Sequence, residues 1–399
     1  MRHSNAWTQS IARYNVSVQS VTSVLSGSSS CRCCCFCSSA QHSLRFSASR
    51  QLQFEAHREA VAPTPPPHYI LAMRILIHIQ WPVKAWCIPD THAAMLYTQF
   101  PEVDFIRVHN IDDALQAIAD VDAAFTPILT PEMVARAAKL RWVHSPAAAV
   151  EGLLPLGALH ERNVLVTNSK GIQAVPIAEH VMGGILMLSR KFNRTHDAQR
   201  ERRWIQNDLT SDWPWLLSGQ RMTIVGLGTI GVEIAKRAHA FGIHVTGVRR
   251  NTQAPRPSFV DRMVGADQLD SALEHCDLLV LSAPGVSSTH RMIGAQQLAR
   301  LNRGALLVNV ARAGIVDDAA LRAALESGQL GGAVLDVFER EPLDPTDALW
   351  EMTNVVLTPH SSGFRASHWD DVRDLFAENL RRYLLGEELL HAVDLVAGY

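Results

Sequence analysis

Three short segments carry polar residues at the ends of apolar runs, where side chains can do chemistry. In VNVARAGIVDD (308–318), Arg312 comes straight off an apolar strand pattern and precedes Gly314. A guanidinium there offers a positive, two-pronged donor suited to a carboxylate or a polarised carbonyl. In DVFEREPL (336–343), Asp336 ends a strand pattern and Glu341 precedes a proline. In LTPHSSG (357–363), His360 follows a strand pattern and a proline. Histidine gives and takes a proton near neutral pH. A carboxylate on the far side of the imidazole orients it and favours its protonated form. Each residue alone also has a plain reading: a surface ion pair, a solvated turn, a packing histidine.

The residues Met222 to Gly231 read MTIVGLGTIG, and they say which partner such chemistry would need. A short apolar strand leads into Gly226, Gly228 and Gly231 in the G-x-G-x-x-G spacing, and Thr229 to Phe241 follows with Ile230, Ile234, Ala238 and Phe241 on one helical face. Gly242 sits where a helix stop is wanted. The physical logic is a tight turn, close backbone approach to a pyrophosphate, and free N–H groups at a helix start. Glycines in an ordinary loop, and the same turn in a methyltransferase, are the competing readings. The second strand, Ile243 to Val248, ends in Arg249-Arg250. An acid that binds the ribose hydroxyls of NAD belongs about twenty residues past the glycines. None occurs between Glu233 and Asp261, and Arg249 stands eighteen positions after Gly231. An arginine pair there holds a 2′-phosphate instead, so NADP is the expected cofactor, with NAD as an option. Stacking of Arg249 on the adenine is the alternative.

Strand and helix patterns alternate from Met73 onward, which implies doubly wound parallel sheets. Strands are expected at 74–80, 103–109, 123–128 and 140–144, with helices at 90–100 and 113–119 and one starting at Thr130-Pro131. A long apolar helix, Val175 to Phe192, leads to strands at 222–225, 243–248, 277–282, 305–309, 333–337 and 355–357. A final amphipathic helix, Ala366 to Leu385, is expected to return to the first lobe. The domains are therefore 73–170 plus 362–399 for substrate and 171–361 for dinucleotide, with a cleft between them.

The chain has 399 residues and a net charge of −2, which gives no reason to expect nucleic acid or an anionic membrane as partner. No apolar run reaches membrane-spanning length. Residues 1–72 differ from the body. The first 50 contain no Asp or Glu, and five of the seven cysteines crowd into Cys31 to Cys37. That stretch reads as upstream sequence translated from an early start codon, with Met73 the expected true start and Pro63 to Pro67 a stiff spacer; a transit peptide is the alternative. The crowded cysteines match no usual zinc spacing, and no metal is expected. Cys87 and Cys276 alone remain in the body, consistent with a reducing, cytoplasmic location.

Together these segments resemble the D-isomer-specific 2-hydroxyacid dehydrogenases, from about Met73 to the end of the chain. The resemblance also covers SPAAAVEGL (145–153) and TNSKGIQAVPIAEHV (167–181). It implies α/β architecture, with a Rossmann domain inserted in a flavodoxin-like substrate domain, and a homodimer. It implies catalytic roles for Arg312, Glu341 and His360, and hydride exchange between NAD(P)H and a small 2-oxo acid such as glyoxylate or hydroxypyruvate. It places cofactor contacts at Gly226, Gly228, Thr229, Ile230, Gly231, Arg249, Arg250, Ala283, Pro284, Ala311 and Asp336, the last facing the nicotinamide carboxamide. It places the substrate carboxylate on backbone amides at Ala148 and Ala149, opposite Arg312. Ala149 and Ala313 stand where the family often has glycine, which bears on substrate size. Glu179 and His180 read as structural; His144, Lys170 and Trp369 read equally well as cleft, packing or surface residues. A cofactor-dependent corepressor-like module and a phosphoglycerate dehydrogenase are the rival functions.

Overall fold

The computed structural model describes residues 73–150 and 154–398. The amino-terminal extension, its cysteine cluster and its proline spacer lie outside the described residues, as do residues 151–153 of the SPAAAVEGL segment. The chain runs β1 (Arg74–Ile77), α1 (Asp90–Gln99), β2 (Asp104–Arg107), α2 (Ile111–Ala117), β3 (Ala123–Phe125), α3 (Pro131–Arg136), β4 (Trp142–Ser145), α4 (Leu156–Glu161) and β5 (Leu165–Asn168). Next come α5 (Ala174–Ser189), α6 (Phe192–Arg200), β6 (Arg221–Val225), α7 (Thr229–Ala240), β7 (His244–Val248), β8 (Arg262–Val264), α8 (Leu269–Leu273) and β9 (Leu278–Leu281). The chain closes with α9 (Ala295–Arg300), β10 (Ala305–Asn309), α10 (Asp318–Glu326), β11 (Leu330–Leu335), β12 (Val355–Leu357) and α11 (His368–Leu385).

Two parallel sheets result, so the expected α/β class holds. The first has the order β2-β1-β3-β4-β5 and is flavodoxin-like. The second has the order β12-β11-β10-β9-β6-β7-β8, the doubly wound nucleotide-binding order. Helices cover both faces of such a sheet, so its inner strands are apolar throughout. Every residue of β9 (LLVL) and β10 (ALLVN) is buried. Caps match the local sequence: the side chains of Asn110, Thr130 and Asp317 each accept a backbone N–H at a helix start.

Several elements depart from the sequence pattern for identifiable reasons. β5 and β8 are unforeseen; both are short outermost strands in their sheets, β5 on the brief apolar run Val164 to Val166 and β8 partly exposed. The helix expected to reach Phe192 stops at Ser189. Lys191 adopts a left-handed conformation and pairs with Asp212 at 2.6 Å, and α6 starts afresh at Phe192. Phe241 is not on the buried face of α7 but caps it, 43% exposed.

The strand expected at 333–337 lies at Leu330–Leu335, so Asp336 stands just past the strand end. On the first sheet, Trp369, Val372, Phe376 and Leu380 of α11 join Ile75, Phe125 and Trp142 in one core. The Phe125 and Phe376 rings stack at 4.0 Å, and Trp142 stacks on Phe376 at 5.4 Å. Such pairs contribute about 0.5–1.5 kcal/mol each beyond burial. α5 packs on the second sheet, where Gly184 lets it approach Val334; a Cβ there would come within 2.6 Å.

Candidate active site

Sheet register brings the three chemistry-bearing segments together. β10 pairs with β11 and β11 with β12, with Asn309 level with Leu335 and Leu335 level with Leu357. The loops carrying Arg312, Glu341 and His360 therefore leave the same sheet edge side by side. That edge lies beyond the strand carboxyl ends, where open α/β sheets bind ligands.

His360 and Glu341 meet directly: His360 Nδ1 lies 2.8 Å from Glu341 Oε2. The carboxylate has only acceptors, so Nδ1–H donates and Nε2 is left for another partner. Both side chains are partly open, 47% and 37% exposed. The second Glu341 oxygen accepts the Phe338 N–H at 3.0 Å. Burial pushes the Glu341 carboxyl up, but the His360 hydrogen bond, the Phe338 N–H and the nearby Arg312 charge outweigh it and hold it below the usual carboxylate value. An ionised Glu341 is what orients an imidazole and stabilises its protonated form.

Asp336 builds the turn that presents His360. Its fully buried carboxylate accepts the Thr358 hydroxyl at 2.6 Å, the Ser361 N–H at 2.9 Å and the Ser362 N–H at 3.0 Å. His180 donates to the same Thr358 hydroxyl at 3.1 Å, which gives that histidine its structural job. Between these anchors His360 takes φ +51°, a left-handed backbone that a non-glycine residue holds only when its surroundings fix it.

Arg312 follows β10 in extended backbone, and Asn309 shapes its turn: the side chain accepts the Ala311 N–H at 3.1 Å and donates to the Arg312 carbonyl at 3.0 Å. The guanidinium donates to the Ala311 carbonyl at 2.7 Å. Its stem lies on Gly285, where a Cβ would come within 2.6 Å of the Arg312 Cγ. Arg312 lines a cavity of about 430 Å³ together with Gly285, Val286, Thr289, His290 and Gly314. Sequence reasoning missed Asn309 and Gly285; an asparagine closing an otherwise apolar strand, three residues before the arginine, was the available signal.

The glycine turn lies between β6 and β9, the switch point of this sheet. Gly226 has φ +101°, and a Cβ there would come within 2.4 Å of the Ala283 nitrogen. A Cβ on Gly231 would come within 2.3 Å of the Gly226 carbonyl oxygen. Nothing lies within 4 Å of the Cβ position at Gly228, so the space a phosphate needs is open. α7 starts at Thr229 without a side-chain cap, and its first N–H groups, at Thr229, Ile230 and Gly231, precede the first helical bond, Val232 N–H to the Gly228 carbonyl. Pro284 and Ala283 follow β9 beside this turn. These residues fit a dinucleotide. At the end of β7, Arg249 is half-buried, and among the described residues its guanidinium has no hydrogen-bond or ion-pair partner. Arg250 is exposed.

On the first sheet, the loop after β4 holds Ala148 and Ala149, both half-buried. Their N–H groups have no hydrogen-bond partner among the described residues. His144, by contrast, is fully buried, Lys170 is exposed, and Trp369 is a core residue whose Nε1 donates to the Ala85 carbonyl at 3.0 Å.

A family model described as D-isomer specific 2-hydroxyacid dehydrogenase, NAD binding domain, matches residues 182–362. A glyoxylate reductase of Korarchaeum cryptofilum is 31% identical over 287 residues, spanning 68% of this chain and 82% of that protein. The chain belongs to the D-isomer specific 2-hydroxyacid dehydrogenase family. One solved member, from Xanthobacter autotrophicus in complex with NADPH and MES, superposes with a TM-score of 0.69 at 29% identity, covering 82% of this chain and 99% of that one. An NADPH-dependent glyoxylate/hydroxypyruvate reductase from Sinorhizobium meliloti, in complex with NADP and sulfate, gives 0.69 at 26% identity, with 82% and 99% covered.

In this dehydrogenase two buried histidines tie stability to pH. Burial, then the charge of His391, pushes His144 down to about 3. Burial, then the Arg365 charge, pushes His368 down to about 4 despite Asp371. In the unfolded chain both take a proton near pH 6.5, so unfolding binds protons. Stability is then full above pH 6.5 and falls as pH drops toward 4, by up to about 1.4 kcal/mol per pH unit for each histidine. Urea melts at half-unit steps from pH 7 to 4 are expected to show that decline, beginning above the ordinary carboxylate range; a flat profile down to pH 5 contradicts it.

Proposed function

We propose that this enzyme is a 2-oxo acid reductase that prefers NADPH and acts on a small substrate of the glyoxylate or hydroxypyruvate kind. The observation that carries the reaction type is the His360–Glu341 pair at 2.8 Å beside the Arg312 turn. In this reading, Arg312 grips the substrate carboxylate and polarises the carbonyl, across from the open N–H groups of Ala148 and Ala149. The cofactor, when bound, supplies the hydride to the carbonyl carbon. His360 Nε2 delivers a proton to the carbonyl oxygen, giving a hydroxyl, and takes it back in the reverse direction. Glu341 keeps Nδ1 protonated throughout. Asp336 belongs to this site by holding the His360 turn; a nicotinamide carboxamide contact would use lone pairs left over from its three hydrogen bonds.

The cofactor preference rests on Arg249, a guanidinium at the end of β7 without a partner among the described residues, and on the absence of an acid there. A charge-assisted bond to a 2′-phosphate contributes about 1.5–3 kcal/mol, tenfold or more in affinity. A spectrophotometric screen of 2-oxo acids with NADPH and NADH tests both parts. Turnover with glyoxylate or hydroxypyruvate is expected, with kcat/KM at least about tenfold higher for NADPH. Equal or better values with NADH refute the preference, and no turnover across the panel refutes the reaction.

We further infer a homodimer in the cytoplasm. Trp204, Trp213 and Leu216 are 88%, 68% and 69% exposed on one stretch between α6 and β6, apolar surface that suits cover by a second copy. Cys87 and Cys276 are free thiols, as a reducing compartment maintains. No helix among the described residues is long and apolar enough to cross a membrane.

A further inference from the structure

The loop after β4 is held from behind by the end of β5. The Ala147 carbonyl accepts the Ser169 N–H at 3.3 Å. The Ala148 carbonyl accepts the Asn168 side-chain Nδ2 at 2.6 Å. Asn168 Oδ1 accepts the Lys170 N–H at 3.3 Å, which fixes the amide so that its NH2 faces Ala148. The peptide group is planar and trans, so its C=O and N–H point in opposite directions. Pulling the Ala147 and Ala148 carbonyls back toward β5 therefore turns the N–H groups of Ala148 and Ala149 the other way, where they meet no acceptor among the described residues.

The support continues behind Asn168. A directed chain of hydrogen bonds runs from Trp142 Nε1 to the Thr167 hydroxyl at 2.9 Å and on to His144 Nδ1 at 2.7 Å. His144 Nε2–H faces the Ser169 hydroxyl at 3.3 Å, and that hydroxyl donates to the Ser145 carbonyl at 3.1 Å. The chain segment after α11 closes the far side: the Asn168 N–H donates to the His391 carbonyl at 3.2 Å, and Thr167 bridges to Ala392. Asn168 is 3% exposed, so its amide is fixed by protein alone.

We propose that Asn168 is a positioning residue for substrate recognition: by tethering the Ala148 carbonyl it keeps the Ala149 N–H, beside that of Ala148, aimed at the carboxylate of a 2-oxo acid. This rests on the reading of Ala148 and Ala149 as the carboxylate cradle. Asn168 touches neither substrate nor cofactor; it acts through one peptide plane. Without the tether that plane can turn, which presents a carbonyl oxygen to an anion in place of a donor.

Two variants test it. Asn168→Ala removes the side chain, and Asn168→Asp keeps its shape but loses the donor. In both, KM for the 2-oxo acid is expected to rise about tenfold or more, the loss of one donor to a charged group. Binding of oxamate, a carboxylate-bearing analogue, should weaken in parallel. At saturating substrate kcat should change less than about threefold, the signature of lost ground-state binding. NADPH affinity should stay as in the wild type. If Asn168→Ala does not fold, the isosteric Asn168→Asp carries the measurement. Unchanged KM in either folded variant overturns the proposal. So does a rise in KM accompanied by a fall in NADPH affinity and in melting temperature, which marks a merely structural residue. A wild-type enzyme without 2-oxo acid turnover overturns the functional reading itself, whereas an active wild type with unaffected variants overturns only the role of Asn168.

Discussion

Replacing His360 with alanine is expected to lower kcat by roughly 10²–10⁴-fold, the usual contribution of a positioned general acid. NADPH binding is expected to survive, because the glycine turn and Arg249 lie on other elements of the second sheet. Glu341 loses its Nδ1–H partner but keeps the Phe338 N–H. Asp336 still pins Ser361 and Ser362, so the turn should persist. The measurement is turnover at saturating substrate alongside a fluorescence titration with NADPH. Unchanged turnover removes His360 from the chemistry. Loss of NADPH binding as well shows that the histidine supports the fold instead.

Arg312→Gln is expected to cost about 10²–10³-fold in kcat/KM, as loss of a charged, oriented group at a developing oxyanion does. Arg312→Lys should restore little, because an ammonium lacks the planar two-pronged donor. The arginine rests against Gly285 and its carbonyl is held by Asn309. A glutamine there keeps the Asn309 bond to the residue-312 carbonyl and loses the charge, the two-pronged donor and the guanidinium bond to the Ala311 carbonyl. Steady-state kinetics on glyoxylate and hydroxypyruvate reads the effect, and a lysine variant with near wild-type kcat/KM contradicts the bidentate role. Both expected losses exceed the one expected from Asn168, because in the proposed mechanism His360 and Arg312 act on the reacting atoms and Asn168 acts through a peptide.

Much of this was legible in the sequence because it is local. The glycine spacing, the apolar strands and the caps at Asn110, Thr130 and Asp317 depend on residues within a few positions of one another. Arg312, Glu341 and His360 were legible as candidates because polar residues immediately after apolar strands fall at a sheet edge. The weakly patterned pieces were not. β5 and β8 are outermost strands of four and three residues, too short to carry a period-two signal. The stop at Ser189 comes from the left-handed Lys191 and its pairing with Asp212, a contact across 21 positions.

The sequence by itself thus determined the α/β class, the dinucleotide turn, the lack of an acid at the end of β7 and the three candidate side chains for the proposed chemistry. Tertiary structure alone decided who touches whom. Glu341 reaches His360 across 19 positions because β11 and β12 run in register. Asp336 spends its carboxylate on the His360 turn for the same reason. Gly285 makes room for Arg312 because β9 and β10 are neighbours. Asn168 can aim an amide twenty residues away because β4 and β5 pair at Ser145 and Asn168. Residue type fixes what a group can donate or accept, but strand order and register fix which group lies within 3 Å of it, and those depend on burying whole sheets at once.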